Sequence, residues 1–578
     1  MSRDPSIVIR GGIVVDGTGK APFEADVAVT GNRIAAVGKL GPAPRGTEEI
    51  DARGLLVTPG FVDVHTHYDG QAVWDSHLAP SSWHGVTTAV MGNCGVGFAP
   101  VRHGDRQRLI ELMEGVEDIP APALHEGLDF RWESFADFLD VLDERDRDVD
   151  ICTQLPHAAL RVFVMGGRAT RLEAATPEDV ARMRSIAADA MRAGAFGFST
   201  SRNFAHRTLK GDPTPSVEAA EEELIGIGLG MQDAGHGFLE VVSDWSQPDA
   251  PTEFSMLRRV VEATGRPMLF SLAARNDGSD TWRRLMAASD AAIADGHSMR
   301  PVFPPRPIGI MLGLTGSQNP FSATPSYRSI ADRPLAERVA IMRDPDFRRR
   351  VLSEDPFTGS TFPLLPRLSY AQMYPFGDPP DYTPPRENSL VAIAEREGRT
   401  PQEVAYDQLL RDDGQSFIFA PLTNYAGYSL SASRELLANR NAIVGLGDGG
   451  AHVGFICDGS FPTFLLTYWG RDGGETRFPV EELVRRQTSD TAHAIGLTDR
   501  GVIAPGKKAD INVIDFDALR LERPYVVFDL PAGGRRFLQK ARGYRATIVS
   551  GVLTYRDGEA TGALPGRLLR AGQMVLQT

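Results

Sequence analysis

Apolar and polar positions follow two different rhythms along this chain. At the N-terminal end the apolar runs are short: Ile7-Val8-Ile9, Ile13-Val14-Val15, Ala25 to Val29 and Ile34 to Val37. They are separated by Gly11-Gly12, Asp16-Gly17-Thr18-Gly19 and Thr30-Gly31-Asn32. Runs this close, with glycine and asparagine at the joints, predict hairpins of a small β unit. The C-terminal end repeats the style in Ala509 to Ile514 and in Ala546 to Tyr555, broken by Gly551. The two ends are therefore expected to pair into one unit. Between them, apolar runs alternate with helical periodicity. Strands are predicted over 55–65, 86–93, 150–156, 195–200, 237–243, 267–273, 298–303 and 442–447. One intervening helix opens at Thr176-Pro177-Glu178-Asp179, an N-cap followed by a first-turn proline and acidic residues at the positive helix end. A second runs from near Ser216 to Gly235. Alternation of this kind belongs to parallel α/β folds, and eight strands fit a (β/α)8 barrel. A doubly wound sheet is the alternative, but no Gly-x-Gly-x-x-Gly follows the first strand.

One segment breaks the rhythm. Residues 301–385 hold sixteen of the 40 prolines, interleaved with aromatic residues and the run Arg348-Arg349-Arg350. The segment reads as an ordered insertion after the seventh strand, at the face where barrel active sites lie. As a cover it would shape an apolar pocket for a bulky substrate; the other reading is that its aromatics pack a core of their own.

Composition narrows the function classes. Apolar residues make up 42% and charged residues 24%, and the formal net charge is −14. That charge argues against nucleic acid or an anionic membrane surface as partner. Three cysteines, Cys94, Cys152 and Cys457, make no disulfide framework and point to a reducing, cytoplasmic setting. No eighteen-residue apolar run appears, so no membrane span is expected.

The candidate chemistry gathers at predicted strand ends. His65-Thr66-His67 closes the apolar run Leu55 to Val64, and residues two apart on a strand share a face. Two imidazoles so placed can hold one divalent metal. The second strand ends in Gly92-Asn93-Cys94-Gly95, where Cys94 is a candidate thiolate ligand or a small buried hydrophobe. The third ends at His157, with Arg161 a turn later. The fourth runs into Arg202 and then His206. The eighth ends in Gly447-Asp448-Gly449-Gly450-Ala451-His452, where Asp448 is a candidate ligand and proton shuttle. His157, Arg202, His206 and His452 are candidate substrate-binding residues. Arg202 is the leading candidate for a substrate carboxylate, with Arg161 and Arg275 behind it.

Pro59 to His67 resembles the first-strand signature of the amidohydrolase superfamily. The segment Gly85-Val86-Thr87-Thr88-Ala89-Val90-Met91-Gly92-Asn93-Cys94-Gly95 is similar to the N-acyl-D-amino-acid deacylase (D-aminoacylase) branch, in which a cysteine takes part in metal binding. Gly194 to Thr200, Gly447-Asp448-Gly449, Thr491 to Gly501 and Gly506 to Asp510 extend the resemblance over nearly the whole chain. It implies a metal-dependent (β/α)8 TIM barrel over 58–500, beside a small β-sandwich built from 1–57 and 501–578. It implies a zinc-dependent hydrolase of a small-molecule N-acyl (D-)amino acid or related amide. The metal ligands carried over are His65, His67, Cys94 and Asp448, with Asp448 also receiving the proton of the attacking water.

The chain departs from that pattern. The family's strands five and six end in metal-binding histidines; here they read Gly237 to Asp244 and Pro267 to Ala274, without histidine. The strand-four lysine of many relatives is also absent, Lys210 lying well past the strand. Three arrangements follow: one tightly held metal; a second metal recruited by Glu240 or His206; or a non-catalytic ligand-binding barrel. A cyclic amidase acting on hydantoin, imide or lactam rings is a further alternative. A homo-oligomer is left open.

Overall fold

The computed structural model describes residues 5–245, 249–356 and 368–572. Eight parallel strands follow one another in chain order: β1 (Phe61–Asp63), β2 (Val86–Met91), β3 (Asp150–Pro156), β4 (Gly197–Arg202), β5 (Phe238–Ser243), β6 (Met268–Ser271), β7 (Met299–Phe303) and β8 (Ile443–Val444). Each pairs with its sequence neighbour. The seam between first and last strands is closed by main-chain bonds, Asp448 N–H to His65 O at 3.3 Å and His67 N–H to Gly449 O at 2.8 Å. This is the (β/α)8 barrel that the alternating pattern predicts. The helix opening at Thr176 spans Pro177–Ala193 and is capped by Thr176 and Asp179 reciprocally, as its sequence requires.

The apolar run 55–65 is one strand in the sequence and two in the structure. Leu56–Pro59 pairs with Ile511–Ile514 in a mixed nine-stranded sheet drawn from both chain ends. Phe61–Asp63 enters the barrel. Gly60 is the switch: its N–H bonds to Asp510 O at 2.8 Å, while that of Phe61 bonds to Gly85 O at 3.0 Å. A Cβ at Gly60 would stand 2.2 Å from Thr87 Oγ1, so only glycine lets the two sheets meet here. The end-derived sheet has a core of its own, including Ile9, Val27, Val57, Ile511 and Ile548.

Between β7 and β8 the chain builds a three-stranded antiparallel sheet from Gly309–Gly313, Tyr374–Phe376 and Phe417–Pro421. Phe321, Tyr327, Phe347 and Tyr370 are buried in a core with Ile310, Leu312 and Tyr406. The bulky-substrate reading of the 301–385 aromatics is corrected on this point: these four rings satisfy their own apolar surface inside the insertion. Phe303, Tyr374, Phe376 and Tyr382 join the main core. Phe357 and Phe362 lie outside the described residues. Arg348 pairs with Asp407 at 3.0 Å. Among the described residues, no helix is long and apolar enough to cross a membrane.

Candidate metal centre

The loop after β1 is tied down so that both of its imidazoles turn inward. Asp63 Oδ1 accepts from the His65 N–H at 3.1 Å, and the Thr66 hydroxyl donates to Val90 O at 2.7 Å. Thr66 thus faces β2, and the residues on either side of it face the barrel axis. His65 and His67 are 2% and 1% exposed. After β2, the Asn93 amide donates to Thr66 O and Val90 O, each at 2.9 Å, and accepts from Gln154 at 2.7 Å. This anchor carries Cys94, whose backbone sits in the left-handed region at φ 54°. Leu446 and Asp448 after β8, and His452 beyond them, also have positive φ (61°, 45° and 49°). Strained backbone in non-glycine residues concentrates where side chains are aimed at a site.

The donor atoms of His65, His67 and Cys94 all lie within 4.8 Å of one another. Cys94 Sγ is 3.4 Å from His65 Nε2. Asp448 Oδ1 is 3.4 Å from His65 Nε2 and 3.8 Å from His67 Nε2. The other nitrogen of each ring faces a buried carboxylate: His65 Nδ1 is 3.6 Å from Glu240 Oε1, and His67 Nδ1 is 3.4 Å from Glu117 Oε1.

Burial dominates the electrostatics. It pushes the His65 imidazole down to about 3 and His67 well below its usual value. It drives the Cys94 thiol, Glu117 and Asp448 well above theirs and Glu240 up to about 8. The neighbouring carboxylates reinforce the shifts of Cys94 and Glu117. Asp448 Oδ1, Glu240 Oε1, both oxygens of Glu117 and His67 Nδ1 are buried without a hydrogen-bond partner. Such groups are costly to leave alone. A divalent cation supplies the missing counter-charge, and mixed imidazole, thiolate and carboxylate donors suit zinc. The residues present therefore fit a cation.

The other sequence candidates are placed differently. Both His157 nitrogens are engaged inside the protein, Nδ1 with Thr200 at 2.8 Å and Nε2 with Glu223 at 2.7 Å. No ring nitrogen is left for a ligand. Arg202 is bound to Glu253 and to Ala219 O, which satisfies the fork expected to meet a substrate carboxylate. Arg161 pairs with Glu223 at 3.0 Å, and Arg275 with Asp277 at 2.7 Å. His206 Nδ1 bonds Ser201 at 2.8 Å. Glu240 stands beside the centre and also accepts from the Cys94 N–H at 3.0 Å. The His452 side chain is 22% exposed, with its Nε2 3.6 Å from Glu117 Oε2.

Glu117 is the residue that the sequence reading missed. It ends the helix Arg106–Glu117, whose buried stripe includes Leu109, Met113 and Val116. Glu117 continues that stripe at the four-residue spacing and sits at the negative end of the helix dipole. An acid there runs against both patterns, and that conflict was the available signal.

The amidohydrolase family model matches residues 48–555. The chain belongs to the amidohydrolase family. Among the family's curated members, the D-aminoacylase of Alcaligenes xylosoxydans is 35% identical over 226 residues, 39% of this chain and 42% of that one. The N-acyl-D-aspartate deacylase of the same organism is 38% identical over 220 residues, 38% and 39% of the two chains. The matched segments thus span about two fifths of these relatives. An uncharacterized protein of Mycobacterium tuberculosis is 27% identical over 98% of this chain and 96% of its own. The resemblance to the D-aminoacylase branch, read from residues 85–95, is borne out by these relatives. The crystal structure of D-aminoacylase superposes with a TM-score of 0.65 at 23% identity, covering 98% of this chain and all of the other. The N-acyl-D-glutamate deacylase of Bordetella bronchiseptica, complexed with zinc and a phosphonate inhibitor, gives 0.65 at 21% with the same coverage. At these identities the likeness is one of fold.

Proposed function

We propose that this amidohydrolase is a metal-dependent hydrolase of the amide bond in an N-acyl D-amino acid or a related N-acyl compound. The observation that carries the reading is the convergence of His65, His67, Cys94 and Asp448 in a buried pocket whose acids lack partners. These four residues would hold one tightly bound divalent cation, zinc before others. A cation there supplies a Lewis acid that polarises the scissile carbonyl and lowers the pKa of water towards ~7. Asp448 takes the proton of the attacking water at a carboxylate oxygen and returns it to the leaving nitrogen. The left-handed backbone at Leu446 and Asp448 holds that carboxylate against the histidine pair. Glu240 buttresses His65 and the Cys94 main chain, and this reading assigns it no second ion. His452, partly open to solvent, and His206 remain the candidates to meet the substrate. The catalytic barrel is taken as 58–500, with 1–57 and 501–578 completing a β-sandwich.

The test is a direct assay. Protein purified without chelator is analysed for metal and offered N-acyl-D-amino acids, their L-enantiomers and hydantoin-type rings, with amine release or ring opening measured. About one zinc per chain and amine release from the D-series is expected. Ring opening alone would convert the reading to a cyclic amidase. A metal-loaded protein that cleaves none of them would be a non-catalytic barrel.

A further inference from the structure

Glu117 occupies an unusual position for a buried acid. It is 1% exposed, and both of its oxygens lack hydrogen-bond partners. Its ion-pair neighbours among the described residues are two imidazoles, His67 through Nδ1 at 3.4 Å and His452 through Nε2 at 3.6 Å. The other charged groups acting on it, Asp448, Asp69 and Glu240, are all acids. The two histidines flank the barrel seam, His67 after β1 and His452 after β8. Glu117 reaches both from a third element, the helix between β2 and β3.

Its main chain is committed to the same task. Glu117 O accepts from the His452 N–H. The next residue, Asp118, turns through the left-handed region at φ 50°. Its Oδ2 accepts from Ser317 at 3.0 Å and from the Gly454 N–H at 3.1 Å. The turn is thus pinned to the loop that carries His452.

We propose that Glu117 is a positioning residue: when the site holds its cation, the two carboxylate oxygens close on His67 Nδ1–H and His452 Nε2–H and fix the tautomer of both rings. The proposal rests on the reading of His65, His67, Cys94 and Asp448 as a cation site and adds a residue to it. With Nδ1 protonated, His67 presents the Nε2 lone pair that faces Asp448. With Nε2 protonated, His452 keeps Nδ1 as an acceptor. That atom is buried and unpartnered, on a side chain that is itself partly open to solvent. It suits a donor on an entering molecule, such as an amide N–H. Glu240 stands behind His65 as Glu117 stands behind His67. A carboxylate behind a ligating imidazole fixes its orientation and raises its basicity, and its loss costs ~10–100-fold in metal affinity. A direct ligand role fits less well, because Glu117 meets His67 at the ring nitrogen other than the one facing Asp448. A purely structural role does not account for a carboxylate with no other partner, since a neutral side chain would fill the same space at less cost.

The experiment uses the full chain labelled with [15N]histidine. Two-bond 15N–1H correlation spectra, recorded metal-free and with zinc, separate Nδ1–H from Nε2–H tautomers. Signals are assigned by their loss in His67→Asn and His452→Asn. Zinc-loaded wild type is expected to show Nδ1–H at His67 and Nε2–H at His452. Glu117→Gln offers one acceptor and one donor, so it can hold only one ring, and the other should change tautomer or average. Cobalt affinity, measured by chelator competition, should fall ~10–100-fold in that variant. The opposite tautomer at either ring in zinc-loaded wild type overturns the proposal. So does a folded Glu117→Gln that leaves both rings and the cobalt affinity unchanged. Should Glu117→Gln not fold, the wild-type tautomers still decide. Wild type with these tautomers but no amide hydrolysis would overturn the functional reading and leave the assignment of Glu117 standing.

Discussion

The protein buries two dense groups of charge and treats them in opposite ways. At the end of the barrel away from the histidines, Arg500 and Lys508 meet Asp150, Asp510 and Asp499. Arg500 bonds Asp150 at 2.7 Å, and Lys508 bonds Asp150 at 2.8 Å and Asp510 at 2.6 Å. Here each buried acid has a cation. At the other end Glu117, Glu240 and Asp448 share a pocket with two imidazoles whose pKa burial lowers and a thiol whose pKa burial raises. No arginine or lysine pairs with these three acids among the described residues. The first cluster is complete from the chain's own side chains and joins the barrel to the end-derived sheet. The second is completed by something the chain does not encode. A buried acid left without a partner is therefore a better pointer to function here than a buried acid as such.

The difference can be tested from its strongest consequence downward. Asp448→Asn should lower turnover by ~10²–10⁴-fold while leaving the thermal transition near that of wild type, because the variant lacks the general base of the proposed mechanism and keeps the fold. Steady-state kinetics beside a melting curve check this; activity above a tenth of wild type would take Asp448 out of the mechanism. Arg500→Met should do the reverse. It leaves Lys508 as the one cation among the three acids Asp150, Asp499 and Asp510, at a cost of about 3–5 kcal/mol in unfolding free energy, with activity per folded molecule unchanged. Denaturant titration and an active-site count distinguish the two variants. A metal chelator should abolish activity and lower the melting temperature of wild type. The loss corresponds to ~2.7 kcal/mol where the free metal stood at a hundred times its dissociation constant. Added zinc should restore both. In Arg500→Met the chelator-induced shift should be just as large, since the two clusters are independent.

The smallest effect concerns pH. Burial, the largest single influence on Asp150, raises its pKa, but Lys508 and Arg500 together outweigh it and hold the carboxyl at about 2, below its usual 3.8. An acid depressed in the folded state adds stability above its unfolded pKa, and that stability is lost as pH falls through the folded value. The cluster should therefore be indifferent between pH 5 and 8 and weaken between roughly pH 4 and 2. Melting temperatures across that range should fall more steeply in wild type than in Asp150→Asn. Parallel curves for the two proteins would show that the cluster's charge contributes nothing to folding.

Much of the centre was legible in the sequence because strand ends are legible. His65, His67, Cys94 and Asp448 each follow an apolar run, and a parallel barrel gathers such positions at one face. Glu117 was not, because it arrives on a connecting helix, and only the conflict between its charge and its place on the apolar stripe marks it. Arg202 was over-read for the converse reason. Its position past β4 is visible, but Glu253, its partner, lies on the helix after β5. The described residues of the proline-rich insertion form strands and helices, but composition does not tell whether a ring faces a pocket or its own core. Strand boundaries failed where backbone geometry departs from the pattern. The eighth apolar run ends early as a strand because Leu446 and Asp448 adopt left-handed backbone. The first is divided at Gly60 because two sheets compete for it.

The seam that closes the barrel also sets when the centre can exist. Its hydrogen bonds join residues 65 and 67 to residues 448 and 449, so the barrel's first strand waits for its last. During synthesis the emerging chain displays His65, His67 and Cys94 long before Asp448 is made. Contacts between such distant segments form late in folding, after the loop-closure entropy between them has been met. A chain broken off before residue 448 would carry the nitrogen and sulfur donors of His65, His67 and Cys94 without the carboxylate. Closing the ring thus sets Asp448 beside His65 and His67 in the same step that joins the last strand to the first.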